Sequence, residues 1–487
     1  MHGDDAISTR LFWHGPRMWA ISAAVGAVIG VILGLALPPG VNDAGKAVIP
    51  AWTIAPFVLL LLSIAVAPLV SERWWHRHYP DVSFVLGALV AAYYATALTA
   101  PTAGALTYGT DKILHAAIEY YGFIALVGGL YLASGGILVG LEGRAGPASN
   151  TILLCVGAVL ANLVGTTGAS VLLIRPFMKS NDGRLRPLHV VFFIIIVSNC
   201  GGVLTPIGDP PLYLGYLKGV PFFWVPMAMW SSWLIVVLPL LAIFFVYDMG
   251  VLRRDRATSA ALAAALEPAA VLPSITLGGR PVSFVLMGLI VAAVFIDPAL
   301  QRIWHVHLPV GPTVQIVLAL VALRVARRDI MEANEFSWEA VKEVGLLFAG
   351  IFLTMMPALA YLSANGKALG LTSPSAFYWA TGALSAVLDN APTYLNFVQL
   401  AVTPAEVDRA SIAELLSTPA GQRTLEAISA GAVFFGALTY IGNGPNFMVR
   451  SIAIRAGVEM PSFFGYAARA MLILGPVLVL HWAVRVW

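Results

Sequence analysis

Two stretches set carboxylates and amides among apolar residues. One is Ser198-Asn-Cys-Gly-Gly-Val-Leu-Thr-Pro-Ile-Gly-Asp-Pro-Pro211, which carries Asp209; the other is Asp389-Asn-Ala-Pro-Thr393. A carboxylate in such surroundings costs several kcal/mol unless a proton, a cation or a partner neutralises it. Burial disfavours the charged form, so a proton and a metal cation compete for the group. Asp389 is the first candidate for that exchange, with Asn390 and Thr393 adding the oxygen ligands a hard cation such as sodium takes. Its alternative role is to cap the N-terminus of a half-helix. Asp209, held out of helical backbone between Gly208 and Pro210, is the second candidate, with a turn or cap carboxylate as its alternative. Asn162, Thr166, Thr167, Ser198, Asn199 and Thr205 gather hydroxyls and amides around the first stretch, and Thr439, Asn443 and Asn446 do so later in the chain. A single Ser or Thr in a helix is usually a backbone hydrogen-bonder, but this concentration points to ligands. Lys218 follows the first stretch, where it can pair with Asp209 or attract an anion, while Arg175 and Arg450 read mainly as charge anchors.

These groups must be positioned within lipid. The chain of 487 residues is 59% hydrophobic and 11% charged, against about 25% charged in soluble domains. That excludes an ordinary soluble enzyme, a disordered protein and a nucleic-acid binder. Its 28 basic and 25 acidic residues nearly balance. Cys155 and Cys200 lie in apolar stretches without disulfide or metal-ligand spacing. No catalytic triad, metal motif or phosphate loop appears, so the reading is transport rather than catalysis. The first apolar run lacks a small-residue cleavage pattern and reads as a retained span. The nine histidines, among them His76, His78, His305 and His307, read as loop or interfacial residues, and tryptophans near span ends as aromatic belts.

A span needs roughly 20 apolar residues in a helix. Nine segments satisfy that: 18–37, 52–70, 82–101, 113–141, 227–247, 282–300, 308–326, 341–364 and 464–486. Segments 150–177 and 377–401 instead carry Asn162-Leu-Val-Gly-Thr-Thr167 and Asp389-Asn-Ala-Pro-Thr393 at their middles, and are expected to be re-entrant hairpins. Their half-helices, of about 10 residues, reach only about 15 Å before turning back. Segments 190–225 and 425–456 are spans broken by glycine and proline.

The breaks repeat. Thr205-Pro-Ile-Gly-Asp-Pro-Pro211 and Thr439-Tyr-Ile-Gly-Asn-Gly-Pro445 share a pattern, Gly219-Val-Pro-Phe-Phe223 is echoed by Gly457-Val-Glu-Met-Pro-Ser-Phe-Phe464, and the hairpin tips at Asn162 and Asn390 are expected to correspond. Each copy then makes an odd number of crossings, which inverts the second. The basic clusters 73–77, 179–186, 253–256, 324–328 and 450–455 fall on one side, read as cytoplasmic. The expected fold is an all-α polytopic membrane protein of about 11 transmembrane helices plus two re-entrant hairpins, in two inverted-topology repeats with broken helices. Residues 1–50 form an N-terminal segment and extra span, 51–249 the first repeat, 250–281 a cytoplasmic linker with a surface helix, and 282–487 the second repeat. The N-terminus is expected inside and the C-terminus outside a bacterial-type inner membrane. Inverted repeats with discontinuous helices mark secondary transporters, because unwound backbone frees carbonyls and amides to hold an ion or substrate.

Ser198-Asn-Cys-Gly-Gly-Val-Leu-Thr-Pro-Ile-Gly-Asp209 and Leu388-Asp-Asn-Ala-Pro-Thr393 resemble motifs of the ion transporter superfamily. Its nearest members by these motifs are the NhaD-type sodium/proton antiporters, the arsenite permeases and a branch labelled citrate transporters. The resemblance extends from Trp52 onward. It implies a fold of two inverted repeats, often within a homodimer. It also implies sodium sites at Asn162, Thr166, Thr205 and Gly208 in the first copy, and at Asp389, Asn390, Thr393, Thr439 and Asn443 in the second. The dicarboxylate branch resembles Ser-Asn-Thr at both tips, whereas here a fixed carboxylate, Asp389, begins one tip. A fixed negative group disfavours a multiply charged anion and favours cation or proton exchange. The leading expectation is therefore a sodium/proton antiporter, with sodium at Asp389, Asn390 and Asn162 and no other cofactor. The alternatives are an ion-coupled citrate or organic-anion carrier, in which Lys218 and Arg175 contact the anion, and an arsenite-type efflux permease. The expected partners are the lipid bilayer and small ions or an organic anion, and no nucleic acid.

Overall fold

Backbone in lipid satisfies its hydrogen bonds within a helix, and the long apolar runs become helical over most of their length. The computed structural model describes residues 5–41, 47–101, 106–142, 146–258, 274–304, 308–334 and 336–487. Among the described residues, ten helices are long and apolar enough to cross a membrane, from Gly15–Ala36 to Phe463–Val486, and Val310–Val325 is a shorter apolar helix. The protein is an all-α polytopic membrane protein.

One compact unit comprises Met1–Tyr121, Glu339–Gly370 and Thr403–Glu406. In it, helix Asp5–Ala36 packs along helix Glu72–Ala97. A Cβ added at Gly26 or Gly30 would meet the carbonyl oxygens of Val85 and Leu89, and one at Gly34 would meet the Thr96 hydroxyl. Small residues every fourth position let two helices approach this closely where lipid offers no hydrophobic drive.

The other unit comprises Gly122–Trp338, Leu371–Val402 and Val407–Trp487. Its first hairpin, Pro147–Ser180, reads as one long helix except at Gly165, whose φ of 79° and ψ of 154° no side-chain-bearing residue adopts cheaply. The arms fold back there. Asn150 and Asn181, fifteen and sixteen residues from the turn, exchange amide hydrogen bonds of 2.8 Å in both directions. In a straight helix they would stand about 46 Å apart. The second hairpin consists of Pro374–Ser385 and Asn390–Val402.

The first broken span runs through Pro187–Ile196, a short 3-10 turn at Cys200–Leu204, and Pro210–Leu217. The second runs through Pro419–Phe435, Gly436–Leu438 and Gly444–Arg455. Both end alike. Gly219 and Gly457 take φ of 112° and 84°, and the following amides, Val220 and Val458, bond back to Gly215 and Ala453 at 2.9 Å. This is the glycine-terminated helix end that satisfies last-turn carbonyls, and it explains the repeated Gly-Val pair.

Three expectations change. The span expected at 113–141 is a helix over Tyr108–Ser134, after which Ile137–Glu142 is a strand paired antiparallel with Ser274–Gly279. In the linker, helix Trp224–Thr258 extends past 250 and Ser274–Gly279 is that strand, while the rest of the expected surface helix, 259–273, lies outside the described residues, as do His305 and His307. His189 and His481 are buried rather than interfacial.

Candidate functional site

Proline chemistry at the first break turns a capping residue into something else. Asp209 is the N-cap of Pro210–Leu217, but Pro210 and Pro211 at the first two helical positions carry no N–H. The Leu212 and Tyr213 amides bond to the Asp209 main-chain oxygen instead. The carboxylate makes no capping bond and is left for partners from other segments.

Three such partners reach it. The Thr166 hydroxyl, just past the first hairpin turn, donates to Asp209 Oδ1 at 2.8 Å. Asn443 Nδ2, at the second break, donates to the same oxygen at 2.9 Å. Asn390 Nδ2, at the second hairpin tip, donates to Oδ2 at 2.8 Å. Both hairpin tips and both breaks therefore meet at one carboxylate that is 1% exposed. Among the described residues its hydrogen-bond partners are all neutral. A carboxylate offers about four acceptor positions. Three are taken, and the fourth lies on Oδ2.

The junction is held by matched staples. Thr205 Oγ1 donates to the Asn162 carbonyl at 2.7 Å and accepts from the Gly208 N–H at 3.1 Å. Thr439 Oγ1 donates to the Ala386 carbonyl at 2.6 Å and accepts from the Gly442 N–H at 3.1 Å. The Thr166 N–H donates to the Gly208 carbonyl as the Asn390 N–H does to that of Gly442, at 2.8 and 3.2 Å. The equivalences are thus Thr166 with Asn390, Gly165 with Asp389, Asn162 with Ala386, and Asp209 with Asn443. The expected match of Asn162 with Asn390 is off by four residues, about one helical turn.

Of the site residues expected from sequence, Thr166, Asp209, Asn390 and Asn443 come together. Thr205, Thr439 and Gly208 hold the tips to the breaks. A Cβ at Gly208 would lie 2.0 Å from the Gly202 carbonyl oxygen, so only glycine fits. The Asn162 amide is taken up locally: Nδ2 donates to the Ala158 and Gly201 carbonyls and Oδ1 accepts from the Leu204 N–H. Asp389 Oδ1 accepts from the Ala391 N–H at 3.0 Å, capping Asn390–Val402, and its chain neighbour Asn390 is the residue that reaches Asp209. Thr393 Oγ1 donates to the Asp389 carbonyl at 2.8 Å, an ordinary bond within the helix. Lys218 does not pair with Asp209. It stands at the other end of Pro210–Leu217, about 12 Å along the axis. Arg175 lies ten residues past the Gly165 turn, about 15 Å along its arm.

Beside the junction is a small cavity whose walls include Gly165, Thr166, Thr167, Gly208, Tyr131 and Tyr213, and none of its lining side chains is charged. Among the described residues no group of three or more His, Cys, Asp or Glu side chains is placed to hold a metal ion. What the junction offers is carboxylate oxygen on Asp209 with the Thr166 hydroxyl beside it, the hard-donor chemistry suited to a hard cation.

Sequence reading missed a second polar cluster, at the base of the first hairpin. Asp248 on Trp224–Thr258 accepts from Asn150 Nδ2 at 2.7 Å and from the Arg184 guanidinium, and faces His189 Nε2 at 3.0 Å. His189 Nδ1 accepts the Arg186 N–H at 3.0 Å, so the neutral ring presents Nε2–H to Asp248. Asn150, Arg184, His189 and Asp248 are all buried. Arg184 is thus an ion-pair partner as well as part of a basic cluster.

Discontinuous helices meeting inside the membrane-spanning part suit a transporter, and the relatives are transporters by name. Two uncharacterized transporters, one of Mycobacterium bovis and one of Mycobacterium tuberculosis, are each 23% identical over 364 residues, covering 71% of this chain and 78% of theirs. The family profile described as "Putative citrate transport" matches residues 46–486, and the chain belongs to that family of transporters.

Proposed function

We propose that the protein is a cation-coupled secondary transporter, a sodium/proton antiporter, in which Asp209 is the group that exchanges a proton for sodium. The observation that carries this reading is the Asp209 carboxylate itself: it is buried, bonded only to neutral donors among the described residues, and joined to all four discontinuities. A buried carboxylate without a basic partner favours binding a proton or a cation. Occupancy of the remaining position on Oδ2 changes the charge at the point where both hairpins touch, which links ion binding to hairpin movement. Asp389 adds a second negative group nearby and strengthens the pull on a cation.

The family description favours a second reading, a cation-coupled citrate carrier. For it, Asp209 and Asp389 would serve the coupling ion and the anion would need donors elsewhere. The uncharged cavity and the N–H-free start of Pro210–Leu217 supply few of these.

In either case the basic clusters support an inner-membrane protein with those clusters and the N-terminus cytoplasmic, the C-terminus outside, and the two halves inverted. Proteoliposomes with an acid interior and a pH-sensitive dye test the reading. Alkalinisation on adding sodium or lithium, without a response to potassium or citrate, is expected. A response to citrate alone would replace antiport with the second reading.

A further inference from the structure

Asn443 reaches Asp209 with its amide nitrogen, and the structure shows what fixes that orientation. The Gly436 and Thr439 carbonyls can only accept, and Asn446 Nδ2 donates to both at 2.9 Å. The Asn446 oxygen is therefore turned the other way, where it accepts from Asn199 Nδ2 at 2.6 Å. Asn199 Nδ2 also donates to the Ile194 carbonyl at 2.8 Å, so its own oxygen faces Asn443. That oxygen accepts from Asn443 Nδ2 at 3.2 Å, and the same nitrogen donates to Asp209 Oδ1 at 2.9 Å and lies 3.3 Å from the Ser198 carbonyl next to Asn199. Asn446 and Asn199 are each oriented by main-chain oxygens that cannot reverse roles, and Asn199 then presents its oxygen to Asn443 beside the Ser198 carbonyl. All three asparagines are at most 1% exposed.

The repeat supplies an independent control. Thr205, Gly208 and Asp209 correspond to Thr439, Gly442 and Asn443, a constant offset, and the same offset places Val433 opposite Asn199 and Leu212 opposite Asn446. Each of the two positions is thus apolar in one broken span and an asparagine in the other, Asn199 with Leu212 in the first and Val433 with Asn446 in the second. The two asparagines, one from each span, bond to each other and then to Asn443.

We propose that Asn199 and Asn446 are positioning residues that lock the Asn443 amide with its donor face on Asp209 and thereby set how tightly Asp209 holds its coupling cation. The proposal rests on the reading of Asp209 as the coupling carboxylate. Neither residue touches the ion, and both act through Asn443.

Asn199→Val and Asn446→Leu copy the residues of the other repeat and preserve volume, and each is combined with Asn443→Ala. The variants are reconstituted in proteoliposomes and sodium-driven proton flux is followed against sodium concentration. Each single variant is expected to raise the half-saturating sodium concentration about tenfold, the size of one lost hydrogen bond to a charged group, with the maximal rate within about twofold of wild type. In the Asn443→Ala background either substitution is expected to add less than about twofold, since coupled groups do not add. A reduced maximal rate with unchanged half-saturation, or effects that multiply with Asn443→Ala, would overturn the proposal. Wild-type vesicles that respond to citrate and not to sodium would contradict the antiport reading alone. The same cycle is then scored on the coupling-cation dependence of citrate uptake, and the same non-additivity is required.

Discussion

Replacing Asp209 with asparagine is expected to abolish solute-driven proton flux, a loss of roughly 100-fold or more, equivalent to about 3 kcal/mol of charge-assisted contact. The substitution is isosteric. It removes the position on Oδ2 that a proton or cation would occupy, and it sets an NH2 group against donors from Thr166, Asn390 and Asn443. Asp389→Asn provides the contrast. Asparagine caps a helix about as well as aspartate, and the bond to the Ala391 N–H survives. The expected result is a functional transporter with sodium half-saturation raised several-fold, because the second negative charge near Asp209 is lost. Flux through both variants in the same vesicles checks the ranking. Full activity of Asp209→Asn beside an inactive Asp389→Asn would reverse it.

The second large effect is on stability. Asp248→Ala removes the carboxylate that receives the buried Arg184 guanidinium, and breaking a buried ion pair costs about 3–5 kcal/mol. It also frees the base of the first hairpin, where Asn150 and Asp248 are bonded. The tip lies about fifteen residues away, or roughly 22 Å along the arm, so a few degrees at the base are enough to part Thr166 from Asp209. Thermal unfolding of the purified protein in detergent is expected to show a large fall in Tm for Asp248→Ala. Much of it should return in the apolar pair Arg184→Met with Asp248→Leu, which leaves no unpaired charge. A single variant that melts like wild type would remove the cluster from the account of hairpin stability.

Much of the architecture is legible in the chain because lipid enforces it. Apolar runs of span length must be helical, and a Gly-Asp-Pro-Pro or Asp-Asn-Ala-Pro sequence inside one must interrupt it. The hairpins and breaks therefore stand where these residues stand. Their partners are less legible. Asp389 draws the eye because it begins a tip, yet its carboxylate bonds the second amide along, a local bond any N-cap makes. The importance of Asp209 depends on Thr166, Asn390 and Asn443, which lie 43, 181 and 234 residues away in the chain, and no local pattern shows such a meeting. The hairpin alignment slipped for a related reason. Asn162 and Asn390 share a residue type, but the main chain pairs Asn390 with Thr166. The Asp248 cluster was hidden because Arg184 and Arg186 already had an explanation as charge anchors. The strand Ile137–Glu142 was hidden because its apolar residues directly follow a helix and extend its hydrophobic run.

The central claim is that the coupling cation and proton share the Asp209 carboxylate. Binding of radioactive sodium to the purified protein, measured by scintillation proximity across a range of pH, tests it without requiring turnover. Saturable binding that protons displace, present in wild type, weakened in Asp389→Asn and absent in a folded Asp209→Asn, is the predicted result. Sodium binding in Asp209→Asn with wild-type affinity and the same proton competition would contradict it.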